Sequence, residues 1–487
     1  MFRNNRLFEK IISLFVVCLL MTTVCGRASA GSEITNASNE TQVAQTTKFL
    51  RQYASIYDEG YTRTQCEADR DELKKLYAID PNNADVAYLY GQKLFELGDF
   101  IEADLLLTPL VANKNTAARL MSAKIALYSG KYEKAELEFM DILINYPDEH
   151  GVEAQMGLAD CYYHTGQFQK ARNLFTEIEE NFSYNTWNVA AKFGNETPYR
   201  VNWGGASKTI IPFSDAPSHL PVIPITINGK KILALIDTGC ESLDMHEEFA
   251  RTLGIEPYHQ DEGVFAGGLS AVVLHGRANE VKLGSVSVKN VPVTMSTSDY
   301  LADSGAQVVL GTNVLKQFLT TFDFPNQQLI LRLRSEASRK VVDAQLRKGV
   351  SIVPFYLLNS HFILAKGTLH GKAGLNYLLD SGLDTEESSL LAPTATLKHA
   401  GIPIPKTQPN VDGGGAGGSD FAVGAFKVKE YSVGSVKMVN AMGVYGVFPE
   451  VIYNSLGVYV DGLVSHNFVK NYAWTLDFDA LEMIFAY

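Results

Sequence analysis

The sequence predicts a multidomain protein, with an all-α helical-repeat region followed by an all-β region of two lobes built on one duplicated plan. Three observations lead there. Between about residues 47 and 182, apolar residues recur at three and four positions, the spacing of one helix face. From about 205 to the end, short apolar runs such as Val222–Ile227 and Leu329–Leu331 alternate with Asn-Gly, Gly-Gly and Gly-Ser turns, the punctuation of strands. Within that second region, a set of landmarks occurs twice in the same order.

The helical region carries its own repeat. Gly98-Asp99-Phe100-Ile101-Glu102-Ala103, Gly130-Lys131-Tyr132-Glu133-Lys134-Ala135 and Gly166-Gln167-Phe168-Gln169-Lys170-Ala171 share the pattern Gly-x-aromatic-x-x-Ala, at spacings of 32 (98 to 130) and 36 (130 to 166). Glycine turns the chain between two helices, the aromatic ring packs into the pair, and alanine lets the next helix approach closely. Pro81 and Pro147 follow helices as stops. The pattern resembles the tetratricopeptide repeat, whose period is ~34 residues. The resemblance implies either an array that only holds its neighbour or a concave surface that grips a protein partner.

In the β-rich region Asp237-Thr238-Gly239 and Asp380-Ser381-Gly382 each follow an apolar run, at an offset of 143 (237 to 380). Ala266-Gly267-Gly268 and Ala416-Gly417-Gly418, then Gly284-Ser285-Val286 and Gly434-Ser435-Val436, follow at offsets of 150 (266 to 416, 284 to 434). The closing blocks begin at Gly311 and Ser465, offset by 154 (311 to 465), with a short helix expected near 312–318 and 466–472. Four landmarks in one order at nearly one offset mark a duplicated domain. Each copy then presents one carboxylate on a tight turn, and a pseudo-twofold axis relates the pair.

Two carboxylates that share one proton can hydrolyse a peptide bond: the ionised one takes a proton from water, and its protonated partner donates to the substrate carbonyl. Such a site needs Asp after a buried strand, a hydroxyl to lock the two loops, and Gly for their close approach. Both triplets supply all three. The two copies resemble tandem retropepsin-like aspartic protease domains, the bilobed plan shared in outline with pepsins. The resemblance implies an aspartic endopeptidase with Asp237 and Asp380 as the catalytic dyad, supported by Thr238, Gly239, Ser381 and Gly382. It also implies two glycine-rich flaps, at Gly263–Ser270 with Gly267 and Gly268, and at Gly413–Ser419 with Gly417 and Gly418. No cofactor or metal is expected, and the expected ligand is a polypeptide substrate.

Three residues depart from the family pattern. Cys240 and Leu383 stand where Ala or Ser usually follows the Gly, and Ser465 replaces a glycine of the closing element. Leu383 is expected to narrow or dry the site, and Ser465 to crowd a tight backbone approach. A protein-binding adaptor with both halves inactive therefore remains an alternative. So does pairing of each lobe with its copy in another chain, although tandem linkage favours pairing within one chain.

The 487 residues, 46% hydrophobic and 20% charged, suffice for several domains. A net charge of −12 argues against nucleic acid and anionic membrane as partners. Arg3, Arg6 and Lys10 precede an apolar run from Ile11 to Cys25, and Ala28-Ser29-Ala30 offers a cleavage site. That run is shorter than the ~20 residues needed to span a bilayer. The expectation is an exported chain, periplasmic or secreted, without membrane insertion once the signal is removed. The resulting division is a signal peptide over 1–30, a polar lead-in over 31–46, helical repeats over 47–190, a first lobe over 205–338 and a second over 339–487. The charged stretch Arg334–Lys340 marks the boundary between lobes. Cys66, Cys161 and Cys240 remain after signal removal, and Cys66 could pair with Cys161 in an oxidising compartment.

Overall fold

A computed structural model describes residues 53–486, apart from 59, 176–192, 194–195, 216–219, 265–269, 298–300, 302–303, 346–349, 384–386, 405–410, 416–417 and 447–455. The expected signal peptide and lead-in lie outside the described residues.

The helical region is an antiparallel array of α1 (Arg63–Ile79), α2 (Ala84–Glu96), α3 (Phe100–Ala112), α4 (Thr116–Tyr128), α5 (Tyr132–Asn145), α6 (Pro147–His164) and α7 (Phe168–Phe175). Local chemistry sets its boundaries. Thr62 and Gln65 form a capping box before α1, and the Asn83 and Asn115 side chains accept from backbone N–H groups at the starts of α2 and α4. Gly98, Gly130 and Gly166 turn the chain at φ of 73°, 69° and 72°, a region open to glycine. Phe100 is buried, Ala103, Ala135 and Ala171 fully so, as the repeat pattern requires. These hairpins are consistent with tetratricopeptide-like repeats. Among the described residues no helix is long and apolar enough to cross a membrane.

Each β lobe closes on itself. In the first, β3 (Val222–Ile227), β4 (Lys230–Asp237), β9 (Val308–Gly311), β5 (Leu243–His246), β8 (Val286–Ser296) and β7 (Ser270–Leu283) form a ring, because β7 pairs with both β8 and β3. In the second, β14 (Phe362–Leu369), β15 (Lys372–Leu379), β20 (Gly462–Val464), β16 (Leu390–Pro393), β19 (Val436–Gly446) and β18 (Gly418–Val433) follow the same cyclic order. Both rings place parallel pairs at equivalent positions, β4 with β9 and β15 with β20. A hairpin projects from each, made by β6 (His259–Val264) with β7 and by β17 (Val411–Gly415) with β18.

A third sheet joins the lobes. Its antiparallel order runs β2 (Lys208–Pro212), β11 (Gln328–Arg332), β10 (Leu319–Asp323), β21 (Ala473–Asp477), β22 (Glu482–Ala486) and β12 (Ser351–Pro354), three strands from each half. The pseudo-twofold axis passes between β10 and β21, where Thr321 and Thr475, 154 residues apart, share a hydroxyl hydrogen bond of 2.7 Å. The charged boundary between lobes is not a bare linker. Residues Glu336–Gln345 form a helix that buries Val342 against Leu319 and Ile484, while Arg339 pairs with Asp343, Asp477 and Glu482. A charged sequence can still form a helix when one apolar position per turn finds a sheet to cover.

The repeat turns are docked against the β region. A Cβ on Gly98 would lie 2.7 Å from Asn376 Oδ1, and one on Gly130 would lie 3.1 Å from Leu481. Asn376 Nδ2 and Lys366 Nζ donate to the Leu97 carbonyl, at 3.1 and 2.7 Å. The Arg63 guanidinium, almost out of water, pairs with Asp461 at 2.8 Å and donates to the Gly374 carbonyl.

Candidate active site

Asp237 ends β4, whose last four residues are buried, and Asp380 directly follows β15. Two turns from the two lobes thus meet at the pseudo-twofold axis. Four reciprocal hydrogen bonds interlock them. Thr238 N–H donates to Ser381 Oγ (3.0 Å) and Ser381 N–H to Thr238 Oγ1 (3.0 Å). The hydroxyls in turn donate across the axis, Thr238 Oγ1 to the Leu379 carbonyl (2.8 Å) and Ser381 Oγ to the Ile236 carbonyl (2.9 Å). A buried hydrogen bond contributes about 0.5–1.5 kcal/mol net, and stranding one partner costs more, so the interlock fixes both loops.

The glycines set how close the carboxyls come. A Cβ on Gly239 would sit 2.7 Å from Asp380 Cγ, and one on Gly382 2.3 Å from Asp237 Cγ. Each carboxyl therefore rests against the opposite loop, in space only glycine leaves open. Within its own loop, Asp237 Oδ1 accepts from Gly239 N–H (2.7 Å) and Asp380 Oδ1 from Gly382 N–H (3.0 Å). The outer oxygens, Asp237 Oδ2 and Asp380 Oδ2, are buried without a donor from the protein.

Electrostatics follow from this packing. Burial raises the Asp237 carboxyl to about 6, while hydrogen bonds from Asp380 and from backbone N–H groups act against it. Burial raises Asp380 well above the ordinary carboxylate range, and the Asp237 charge and the hydrogen bond to it push the same way. Two such groups in contact titrate as a pair, and one proton stays between them over a broad pH range. The arrangement holds one proton donor and one proton acceptor side by side.

The sequence singles out residues that the structure brings together: Asp237, Thr238, Gly239, Asp380, Ser381 and Gly382. Gly267, Gly268 and Gly417 lie outside the described residues, and Gly418 opens β18 at the tip of its hairpin. Leu383 is fully buried in the main hydrophobic core. Cys240 packs in a small apolar cluster with Leu220, Val222, Leu235 and Val309. No disulfide joins Cys66 to Cys161, so the pairing open to them in an oxidising compartment is not present. Among the described residues, no group of three or more His, Cys, Asp or Glu side chains could hold a metal ion.

Some supporting contacts escaped the sequence reading. Thr312 Oγ1 donates to the Thr238 carbonyl (2.9 Å), and Gly311, Thr312 and Asn313 N–H groups donate to the Ser242, Cys240 and Glu241 carbonyls at 2.7, 2.9 and 2.9 Å. The segment after Asp237 is thus pinned to the start of α9 (Thr312–Leu315). Comparing the two copies hides the Thr312 buttress, because His466 occupies its place in the second.

Residues 223–317, from β3 through α9, match a family model described as gag-polyprotein putative aspartyl protease. This lobe is a retropepsin-like domain. The second lobe repeats the retropepsin-like strand order and contributes the matching Asp turn. The chain is also similar to a solved structure, a retropepsin-like aspartic protease from Rickettsia conorii. That match has 21% identity, covers 28% of this chain and 91% of that one, and has a TM-score of 0.20. No curated protein matches the chain.

Proposed function

We propose that this protein is an exported aspartic endopeptidase that hydrolyses polypeptides through Asp237 and Asp380. The observation that carries the reading is the buried carboxyl pair, held on twin loops by reciprocal Thr238–Ser381 hydrogen bonds. The pair holds a single proton, because burial raises both carboxyls and two like charges in contact cannot both form. The ionised carboxyl is the general base: it takes a proton from a water molecule as that water attacks the peptide carbonyl. Its protonated partner donates to the carbonyl oxygen, giving a tetrahedral intermediate without a covalent enzyme species. The base then passes the proton it took from water to the leaving nitrogen as the C–N bond breaks, and a hydroxyl of the intermediate returns a proton to the other carboxyl, which restores the dyad.

The projecting hairpins β6–β7 and β17–β18 would close over an extended substrate. The helical repeats would recruit or orient the substrate or a protein partner, from a position fixed by their turns on the second lobe. Export, to the periplasm or outside the cell, is supported by the basic start, the apolar run and Ala28-Ser29-Ala30. The test is cleavage of an unfolded protein or a peptide library between pH 4 and 8 by the parent, Asp237→Asn and Asp380→Asn. Cleavage by the parent and by neither variant is expected. An inert parent would leave a binding adaptor as the reading, and activity retained in either variant would remove the dyad.

A further inference from the structure

We infer that the helical region is a built-in part of the hydrolytic site, because α6 clamps a brace between the first-lobe dyad loop and a second-lobe turn. The inference rests on the hydrolytic reading above. The brace begins at Glu241, four residues after Asp237, in the loop pinned to α9. Its carboxylate accepts from Ser360 Oγ at 2.5 Å, and Ser360 belongs to the turn between β13 (Tyr356–Leu358) and β14. Asn313 Nδ2 donates to the same hydroxyl (3.4 Å), and Lys316 Nζ donates to the Ser360 carbonyl (3.3 Å). First-lobe residues on both sides of the pinned loop therefore grip one second-lobe turn.

Helix α6 covers this grip. The Tyr163 ring lies under Lys316 Nζ, 4.4 Å from ring centroid to nitrogen, and the Tyr163 hydroxyl donates to Tyr199 Oη (3.2 Å). His164 Nε2 lies 3.2 Å from the Asn359 carbonyl, and Arg334 donates to the Lys316 carbonyl. All of these side chains except Arg334 are wholly or largely out of water. Burial lowers Lys316 to about 7, opposed by Glu241, and raises Asp160 on α6 to about 7, with Glu241 adding to the rise and Lys316 opposing it. Burial also holds His164 and His361 neutral. Charges buried this way depend on one another, so removing one disturbs the whole brace.

The second lobe supplies an internal comparison. Lys470 occupies the position of Lys316 after the equivalent helix, α12 (His466–Val469), yet it is exposed, and its partner among the described residues is Asn467 Oδ1 of its own turn (2.7 Å). Among the described residues, no helix of the array shields it from water. The brace exists where α6 covers the lysine, and the dyad loop it serves is the one bearing Asp237.

The experiment uses the full chain with Lys316→Met and Ser360→Ala, and Lys470→Met as the control. Cleavage kinetics and amide hydrogen exchange at residues 238–242 and 359–361 are the readouts. In Lys316→Met and Ser360→Ala, kcat is expected to fall roughly tenfold or more with KM nearly unchanged, as misplacement of a reacting group predicts. Exchange is expected to quicken in both segments together, and Lys470→Met to match the parent. Should Lys316→Met fail to fold, Ser360→Ala, which touches the brace from the other lobe, carries the test. An active parent whose variants keep kcat and exchange overturns the brace alone. An inert parent overturns the hydrolytic reading and the positioning role with it.

Discussion

The closing strands of the two lobes end in nearly the same backbone geometry with different residues. Gly311 lies at φ −86°, ψ 177°, and Ser465 at φ −79°, ψ 170°. Neither value calls for glycine. What differs is the segment that crosses in front. A Cβ on Gly311 would sit 2.4 Å from the Ser242 carbonyl oxygen and 2.6 Å from that of Cys240. At Ser465 the facing strand stands further off: its N–H donates to Ser389 at 3.1 Å, against 2.7 Å from Gly311 to Ser242. Ser465 uses the space. Its hydroxyl donates to the Ser388 carbonyl (2.9 Å) and accepts from Asn467 N–H (3.2 Å), capping α12. The departure from the glycine pattern thus reflects loop spacing and leaves the interlocked Asp turns intact.

The sharpest way to break the likeness between lobes is at the dyad. Asp237→Asn and Asp380→Asn are each expected to lower kcat/KM by about a thousandfold or more, and the double variant no further, because the pair acts as a unit. Unequal losses would show that the two halves divide the chemistry unevenly. Next comes pH. With Asp237 raised to about 6, activity is expected to climb as pH rises through that value. A profile whose acid limb lies near pH 4 would contradict the burial argument. The sign for stability runs the other way. Both carboxyls bind protons more tightly folded than unfolded, so their contribution is complete below the ordinary carboxylate range and is lost as pH rises through the folded values. Asp380→Asn should therefore raise the melting temperature at pH 8, and a fall would contradict that argument.

Smaller effects test the supports. Gly311→Ala is expected to cost about 3 kcal/mol or more, since backbone rather than a flexible side chain blocks the added methyl. Thr238→Val and Ser381→Ala strand mirror-image groups and should each cost about 2 kcal/mol. A difference above ~1 kcal/mol between them in chemical denaturation would show that the interlock is lopsided. Ser465→Ala should cost only about 1 kcal/mol, the usual worth of a helix cap. A cost comparable to that of Gly311→Ala would mean that the two closing positions are equally constrained after all.

The Asp turns were legible because their requirements are local: an apolar strand, a carboxylate, a hydroxyl and a glycine in consecutive positions. The duplicated order of landmarks carried the bilobed plan for the same reason, and the helical repeat announced itself through turn glycines and small packing residues. The site's surroundings were not legible. Lys316 reads as an ordinary charged residue at a helix end, like Lys470, and only the cover of α6 distinguishes them. Arg63 and Asp461 pair across 398 residues of sequence, and nothing in either neighbourhood signals the other. Leu383 and Ser465 looked disruptive because the pattern records residue types but not how far away the facing backbone stands. The helix over Glu336–Gln345 was hidden by its charge, since a single buried valine leaves little periodicity to read.

The sheet shared by both halves has a consequence for how an extended ligand would be read. Two identical chains meeting about a true axis offer the same walls to either end of a peptide, and the peptide can enter in two orientations. Here β10 and β21 fuse unlike halves permanently, one backed by Lys316 beneath a helix and the other open at Lys470. A peptide bound between the halves would therefore meet a different wall at each of its ends.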